Sequence, residues 1–147
     1  MFSKEESAQL RKEFWVSYGK SFPRKWLLYD TKIKGFSFKF VADTKKALVC
    51  LDIESNDQLK NELLYEQILD VKDLLLEDYL PNAIFDNEYI LENGKKIHRI
   101  YVTHKSKFSI HNKNTWQEAF VFFNKEMDKF EEFFEDFEDF IKQVIYN

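Results

Sequence analysis

Asp52 and Glu54, in "ALVCLDIE", are the pair whose spacing most directly suggests chemistry. Residues two apart on a strand leave the same face, so both carboxylates would project together. Two carboxylates on one face can hold Mg²⁺, which activates water and stabilises developing negative charge. Asp30, in "LLYDT", stands as a candidate third acid. The plainer reading of Asp52 and Glu54 is a strand end meeting solvent ahead of a helix cap. Three histidines offer less. His98 and His104 would share a strand face yet sit about 20 Å apart, too far to hold one metal, and His111 reads as a turn residue. Cys50, between Val49 and Leu51, reads as a buried, inert thiol. No glycine-rich phosphate loop and no nucleophile elbow is present.

A second kind of chemistry lies in "WVSYGKSFPRKWLLYDTKIKGFSFKF", where Lys20, Arg24, Lys25, Lys32 and Lys34 alternate with Trp15, Tyr18, Phe22, Trp26 and Tyr29. Cations neutralise phosphates and aromatic rings stack on bases, so this pattern suits nucleic acid. A later basic block, with Lys95, Lys96, Arg99, Lys105 and Lys107, could join it across a sheet. Against that reading, lysines on strands also guard sheet edges, and aromatics are more often core.

The elements that must position these residues follow from local signals. Ser3 and Glu6 form a capping box ahead of a stripe of Leu10, Phe14 and Tyr18, which Gly19 and Pro23 would close. "KWLLYDT" reads as a first strand, and "GFSFKF" and "ALVCLDIE" as a hairpin turning at "DTKK". A second helix runs from a cap at Ser55 or Asp57 to Pro81, burying Leu64, Ile68, Val71 and Leu75. Asn93-Gly94 predicts a type I′ turn in a second hairpin, and "FSIHN" adds a few strand residues. Thr115 and Glu118 form a capping box for a last helix over about 115–145. The predicted fold class is α+β, with order α-β-β-β-α-β-β-α and helices packed on a five-stranded, largely antiparallel sheet. Residues 1–147 fit a single domain.

The last helix carries Trp116, Phe120, Phe123, Met127, Phe130, Phe134, Phe137, Ile141 and Val144 at alternating spacings of four and three, widened by Phe122, Phe133 and Phe140. Some thirty helical residues span ~45 Å, against a domain diameter of roughly 40 Å. Two fates are open to that stripe. It is core throughout, or its far half, with Phe130, Phe133, Phe134, Phe137, Phe140 and Ile141, meets a second copy in a homodimer.

Composition bounds the rest. One cysteine excludes an internal disulfide, no stretch has the apolar length of a membrane span, and the charged start lacks a secretory h-region, so the expected location is cytoplasmic with no membrane partner. The net charge of −4 conceals blocks. Residues 1–49 hold eleven Lys/Arg against five acids, 50–92 two against twelve, 93–114 six against none, and 115–147 three against nine. Such blocks either form separate faces or pair internally.

The segments "FSKEESAQLRKEFWVSYGKSFPRKWLLYDTKIKGFSFKF", "DLLLEDYLPNAIF", "LENGKKIHRIYV" and "HNKNTWQEAFVFFN" resemble an uncharacterised bacterial family, domain of unknown function 4268, over nearly the whole chain. That family brings no established activity, but longer members are grouped with nuclease-like proteins. The resemblance therefore implies a scaffold similar to the PD-(D/E)xK, restriction-endonuclease-like fold, whose core order is α-β-β-β-α-β. Its chemistry needs an acid on the second strand and an acid-x-Lys on the third. Asp30, Asp52 and Glu54 are the catalytic candidates, yet Ser55 and Asn56 follow Glu54 where the Lys should come, and Asp43 fits no better. The expectation is a non-catalytic binding module for nucleic acid or a protein partner. No cofactor is expected, and Mg²⁺ enters only if the alternative, a degenerate Mg²⁺-dependent nuclease, holds.

Overall fold

The computed structural model describes residues 2–24, 26, 28 and 30–146, the side chain of Tyr146 excepted. It comprises α1 (Lys4–Ser21), β1 (Phe36–Ala42), β2 (Ala47–Ile53), α2 (Gln58–Leu69), α3 (Lys72–Asp78), β3 (Ile84–Ile90), β4 (Lys96–Thr103) and α4 (Trp116–Tyr146). One antiparallel sheet of four strands has the order β1-β2-β4-β3. The class is α+β, and the element order is α-β-β-α-α-β-β-α.

The expected first strand is not in this sheet. Lys25, Leu27 and Tyr29 of "KWLLYDT" lie outside the described residues; Leu28 and Thr31 are buried, but in no strand. The Thr31 hydroxyl donates to the Phe36 carbonyl at 2.7 Å and accepts from the Ile33 amide at 3.2 Å. Lys32 takes a left-handed φ of 64°. These local bonds turn the chain into β1 and compete with strand pairing. The α-β-β-β-α-β order implied by the nuclease resemblance is therefore not reproduced among the described residues.

Helix ends follow capping chemistry. At α1, Ser3 Oγ accepts from the Glu6 amide at 3.1 Å while Glu6 Oε1 accepts from the Ser3 amide at 3.2 Å. The helix runs past Gly19 to Ser21 and stops before Pro23. A Cβ at Gly19 would meet nothing within 4 Å. Gly19→Ala removes backbone entropy from the unfolded chain at no steric cost, so it should raise stability by about 0.5–1 kcal/mol. Thermal unfolding should show the midpoint ~2 °C higher; a lower midpoint would contradict the open space at this site.

The single second helix expected from sequence is broken in two. Asp57 caps α2 by accepting from the Lys60 amide at 3.1 Å. The Val71 backbone then leaves the helical region, at φ −113° and ψ 20°. Asp70 and Val71 are both weak helix formers, and the break lets Leu75 and Leu80 reach the core with Leu64 and Ile68.

The second hairpin forms, with a longer turn than a two-residue type I′. The Gly94 amide donates to Leu91 O, the Leu91 amide donates to Lys95 O, and only Gly94, at φ 86°, is left-handed. That is a type I turn closed by a glycine bulge. Residues Phe108–Asn112 form no strand; Phe108 and Ile110 are buried plugs, and the Ile110 amide bonds to Asp43 O at 3.0 Å. Thr115 caps nothing in α4. Its hydroxyl donates to Ser109 O at 3.0 Å and Asn112 O at 2.7 Å, and a 3-10 turn over Lys113–Thr115 leads into the helix.

The core lies on one side of the sheet. Ala47, Val49, Leu51 and Ile53 of β2, with Ile100 and Val102 of β4, meet the buried stripe of α4 and the inward residues of α1 and α2. Phe14 of α1 touches the rings of Trp116, Phe120 and Phe123 at centroid distances of 5.2, 4.9 and 6.1 Å. Leu48, Cys50, Asp52 and Arg99 point to the opposite side and are also buried. Their cover is made of long side chains. Tyr89 lies over Arg99, 4.3 Å from the guanidinium carbon to the ring centre, and Lys46 Nζ donates to Tyr89 Oη at 3.2 Å.

Candidate binding site

The interleaved stretch of rings and cations folds around one cavity. Trp15, Tyr18 and Gly19 lie on one stripe of α1 by helical spacing, the chain then supplies Phe22, Pro23, Arg24 and Trp26, and β1 adds Phe40; together they line about 600 Å³. Phe40 sits 5.3 Å from Tyr18 edge-on and 6.3 Å from both Trp15 and Trp26, measured between ring centres. Trp15 is backed by Phe123 of α4, stacked at 5.7 Å. Such packing fixes ring positions before any ligand arrives. Gly19 contributes no side chain, leaving room between the rings.

Arg24 anchors the rim. Its guanidinium lies 4.0 Å over the Trp26 ring, with one nitrogen 2.7 Å from Asp128 Oδ1 and the other on Glu131 Oε1. Burial works against its charge, but the bonds to Asp128 and Glu131 outweigh that and hold its pKa above the ordinary value. The Tyr18 hydroxyl, shut away from solvent, has no hydrogen-bond partner. Burial pushes its pKa up to about 12, against a smaller opposing pull from Arg24.

The acids on β2 are arranged differently from a metal site. Both Asp52 oxygens are taken by Arg99, with Nε–Oδ1 at 2.7 Å and Nη2–Oδ2 at 2.9 Å. Lys39 Nζ bridges the two carboxylates, 3.4 Å from Asp52 and 3.0 Å from Glu54, and Lys95 lies 3.7 Å from Glu54. Burial raises the Glu54 pKa, but the hydrogen bond and charge of Lys39 and the charge of Lys95 leave it below the usual value. Asp30 lies on an exposed loop, accepting from the Lys32 amide at 3.0 Å with Lys32 Nζ at 3.6 Å, and it borders the same cavity of about 250 Å³ as Glu54. Asp52 and Glu54 share a face but converge on an ammonium group where a divalent cation would sit. The donor set does not fit Mg²⁺, and among the described residues no three His, Cys, Asp or Glu side chains are grouped to hold a metal.

The sequence profile of the Domain of unknown function (DUF4268) family matches residues 10–138, which include every residue lining the aromatic cavity. The chain belongs to this family. No curated protein and no solved structure matches it.

In this DUF4268 domain the basic candidates divide. Lys20 lies in the last turn of α1, Arg24 lines the cavity just beyond that helix, and Lys25 lies outside the described residues. Lys32 and Lys34 precede β1 while Lys95 and Lys96 open β4; the register of Phe36 with Ile53 and of Ile53 with His98 puts these at one end of the sheet. Arg99 is consumed by Asp52 and is 5 % exposed. The two basic blocks thus meet in part at one end of the sheet, where Lys39 and Lys95 both reach Glu54, while Arg24 stays at the cavity.

Of the apolar residues considered for a dimer contact, Phe130, Phe133, Phe134 and Ile141 are buried inside one chain, and Phe137 and Phe140 are half-buried. His98 stacks on Tyr65 at 4.8 Å and its Nδ1 is 2.9 Å from Asn87 O, while His104 packs on Phe122. Burial pushes the Cys50 thiol up to about 12, which makes it a poor nucleophile. Sequence reasoning missed Phe40 as a cavity wall, since its alternation on β1 marks only a core face. It also missed the Asp52–Arg99 pair, whose only trace was an acidic block followed by a basic one.

Proposed function

We propose that this DUF4268 domain is a non-catalytic binding module whose ligand is single-stranded nucleic acid, held by one base in the aromatic cavity. The observation that carries this reading is the convergence of Trp15, Tyr18, Phe22, Trp26 and Phe40 on about 600 Å³. A concave, mostly apolar site with few polar groups is the usual form of a ligand pocket. Flat heterocycles stack on such rings without strict sequence preference. Phosphates flanking the base would meet Lys20 and the basic N-terminal block, which carries eleven Lys/Arg against five acids although the whole chain is at −4. Catalysis is not part of the reading, because the β2 acids are neutralised by Arg99, Lys39 and Lys95. Nor is self-association, because four of the six helical residues that would support it are core.

Titration with single-stranded homopolymers at low salt, read by tryptophan fluorescence, tests the proposal. Quenching is expected, with affinity falling steeply as salt rises. Trp26→Ala should weaken binding by the worth of one base stack, about 1–3 kcal/mol, or roughly 5- to 150-fold. No quenching by any single-stranded DNA or RNA, with capture of an extended peptide instead, would replace nucleic acid by a protein partner.

A further inference from the structure

Two further hollows lead from the aromatic cavity towards the far end of the sheet. One, of about 250 Å³, is lined by Leu28, Thr31, Phe38 and Glu54 among others. The other, of about 300 Å³, has Glu54, Gln58, Asn87, Lys95 and Lys96 in its wall. Phe38 stands two residues from Phe40 on β1, and Glu54 borders both hollows, so the three lie in series. Phe36 pairs with Ile53, and Ile53 with His98. From Phe40 to His98 the path is four residues along β1 and two strand spacings across, about 16 Å.

The last hollow is polar where the first is apolar, and its donors are open to solvent. The Lys95 and Lys96 side chains are 53 % and 58 % exposed, 3.7 Å from Glu54 and 4.0 Å from Glu88 respectively. Exposed pairs at such distances contribute little, so both ammonium groups can turn to a ligand. Glu54 is not stranded when they do, because Lys39 stays on it at 3.0 Å. Resting on the reading above, we infer that this hollow is a phosphate subsite, where Lys95 and Lys96 hold one backbone phosphate of the strand whose base fills the aromatic cavity. The exposed carboxamides of Gln58 and Asn87 stand beside them as neutral donors. At 3.4 Å per stacked nucleotide, 16 Å separates base and phosphate by about five nucleotides. The ligand is thus a strand long enough to bridge the sheet, and a lone nucleotide uses only half the site.

The experiment titrates wild type and the double variant Lys95→Gln, Lys96→Gln with a homopolymer of about a dozen nucleotides, over a range of salt. The same strand with an uncharged methylphosphonate backbone serves as the second probe. On the natural strand the variant should bind about tenfold more weakly at low salt, the worth of one charge-assisted hydrogen bond. Its plot of log affinity against log salt should flatten by about 0.7, the single-strand value for one phosphate. On the uncharged strand the two proteins should bind alike. Both lysines lie on the surface, so the variant should unfold at the wild-type temperature and any loss reports binding. If the variant keeps the wild-type affinity and slope, or weakens both strands equally, the hollow holds no strand phosphate, while the aromatic cavity's occupancy by a base stands. If wild type binds neither strand, both inferences fall.

Discussion

Arg99→Met should cost the domain about 3–5 kcal/mol, because it strands the carboxylate of Asp52 in a site with no solvent access. Asp52 is 0 % and Arg99 5 % exposed, and the two bonds at 2.7 and 2.9 Å are bidentate. Lys39, at 3.4 Å, remains a longer and partly exposed substitute. Burial works against the guanidinium's charge, yet the bonds to Asp52 raise its pKa above the ordinary value. Breaking such a pair is worse than removing it. Asp52→Leu in the Arg99→Met background should therefore recover most of the loss, since apolar replacement of a whole buried pair is often neutral. Urea unfolding of the two single variants and the double completes the cycle. A loss below 1 kcal/mol in Arg99→Met would mean that water reaches the pair and that the far face of the sheet is open.

Gly35→Ala is the second large effect. Gly35 sits at φ 75°, where an L side chain costs roughly 1–2 kcal/mol. Its missing Cβ would lie 2.5 Å from the Ser55 Cβ and 2.8 Å from the Ser55 Cα and amide nitrogen. Those are main-chain neighbours that cannot rotate away. The Gly35 carbonyl also accepts from the Glu54 amide at 2.7 Å, so relief by moving this strand would cost a ladder bond. Strain and overpacking together should destabilise by about 3 kcal/mol. The drop in thermal midpoint should be of order 6–12 °C. An unchanged midpoint would show that the β1 entry can shift away from β2 freely.

These two sites show how unevenly the structure was legible in the sequence. Signals that act within a few residues translated well. The Ser3–Glu6 box caps α1, Asp57 caps α2, and alternation in "GFSFKF" and "ALVCLDIE" becomes a hairpin. The seven-residue stripe of the last helix is the face that α4 lays on the sheet. Signals whose outcome depends on distant partners did not. "KWLLYDT" has strand composition, yet Thr31 satisfies local backbone groups on the way into β1. Thr115 looks like a cap, yet bonds back to Ser109. Asp52 and Glu54 look like ligands because the residues that neutralise them, Lys39 on β1 and Arg99 on β4, come from other strands. The aromatic cavity was half visible. Four of its rings belong to one short stretch, but only tertiary structure brings Phe40 among them.

The dependence of α1 on α4 has a consequence for biosynthesis. Phe14 and Tyr18 pack against Phe120 and Phe123, which are translated a hundred residues later. Until that final segment emerges, the opening helix has greasy rings with nowhere to go. Contacts this remote in sequence form slowly and leave apolar surface uncovered in the meantime. The aromatic cavity is complete only once α4 backs it through Phe123 against Trp15.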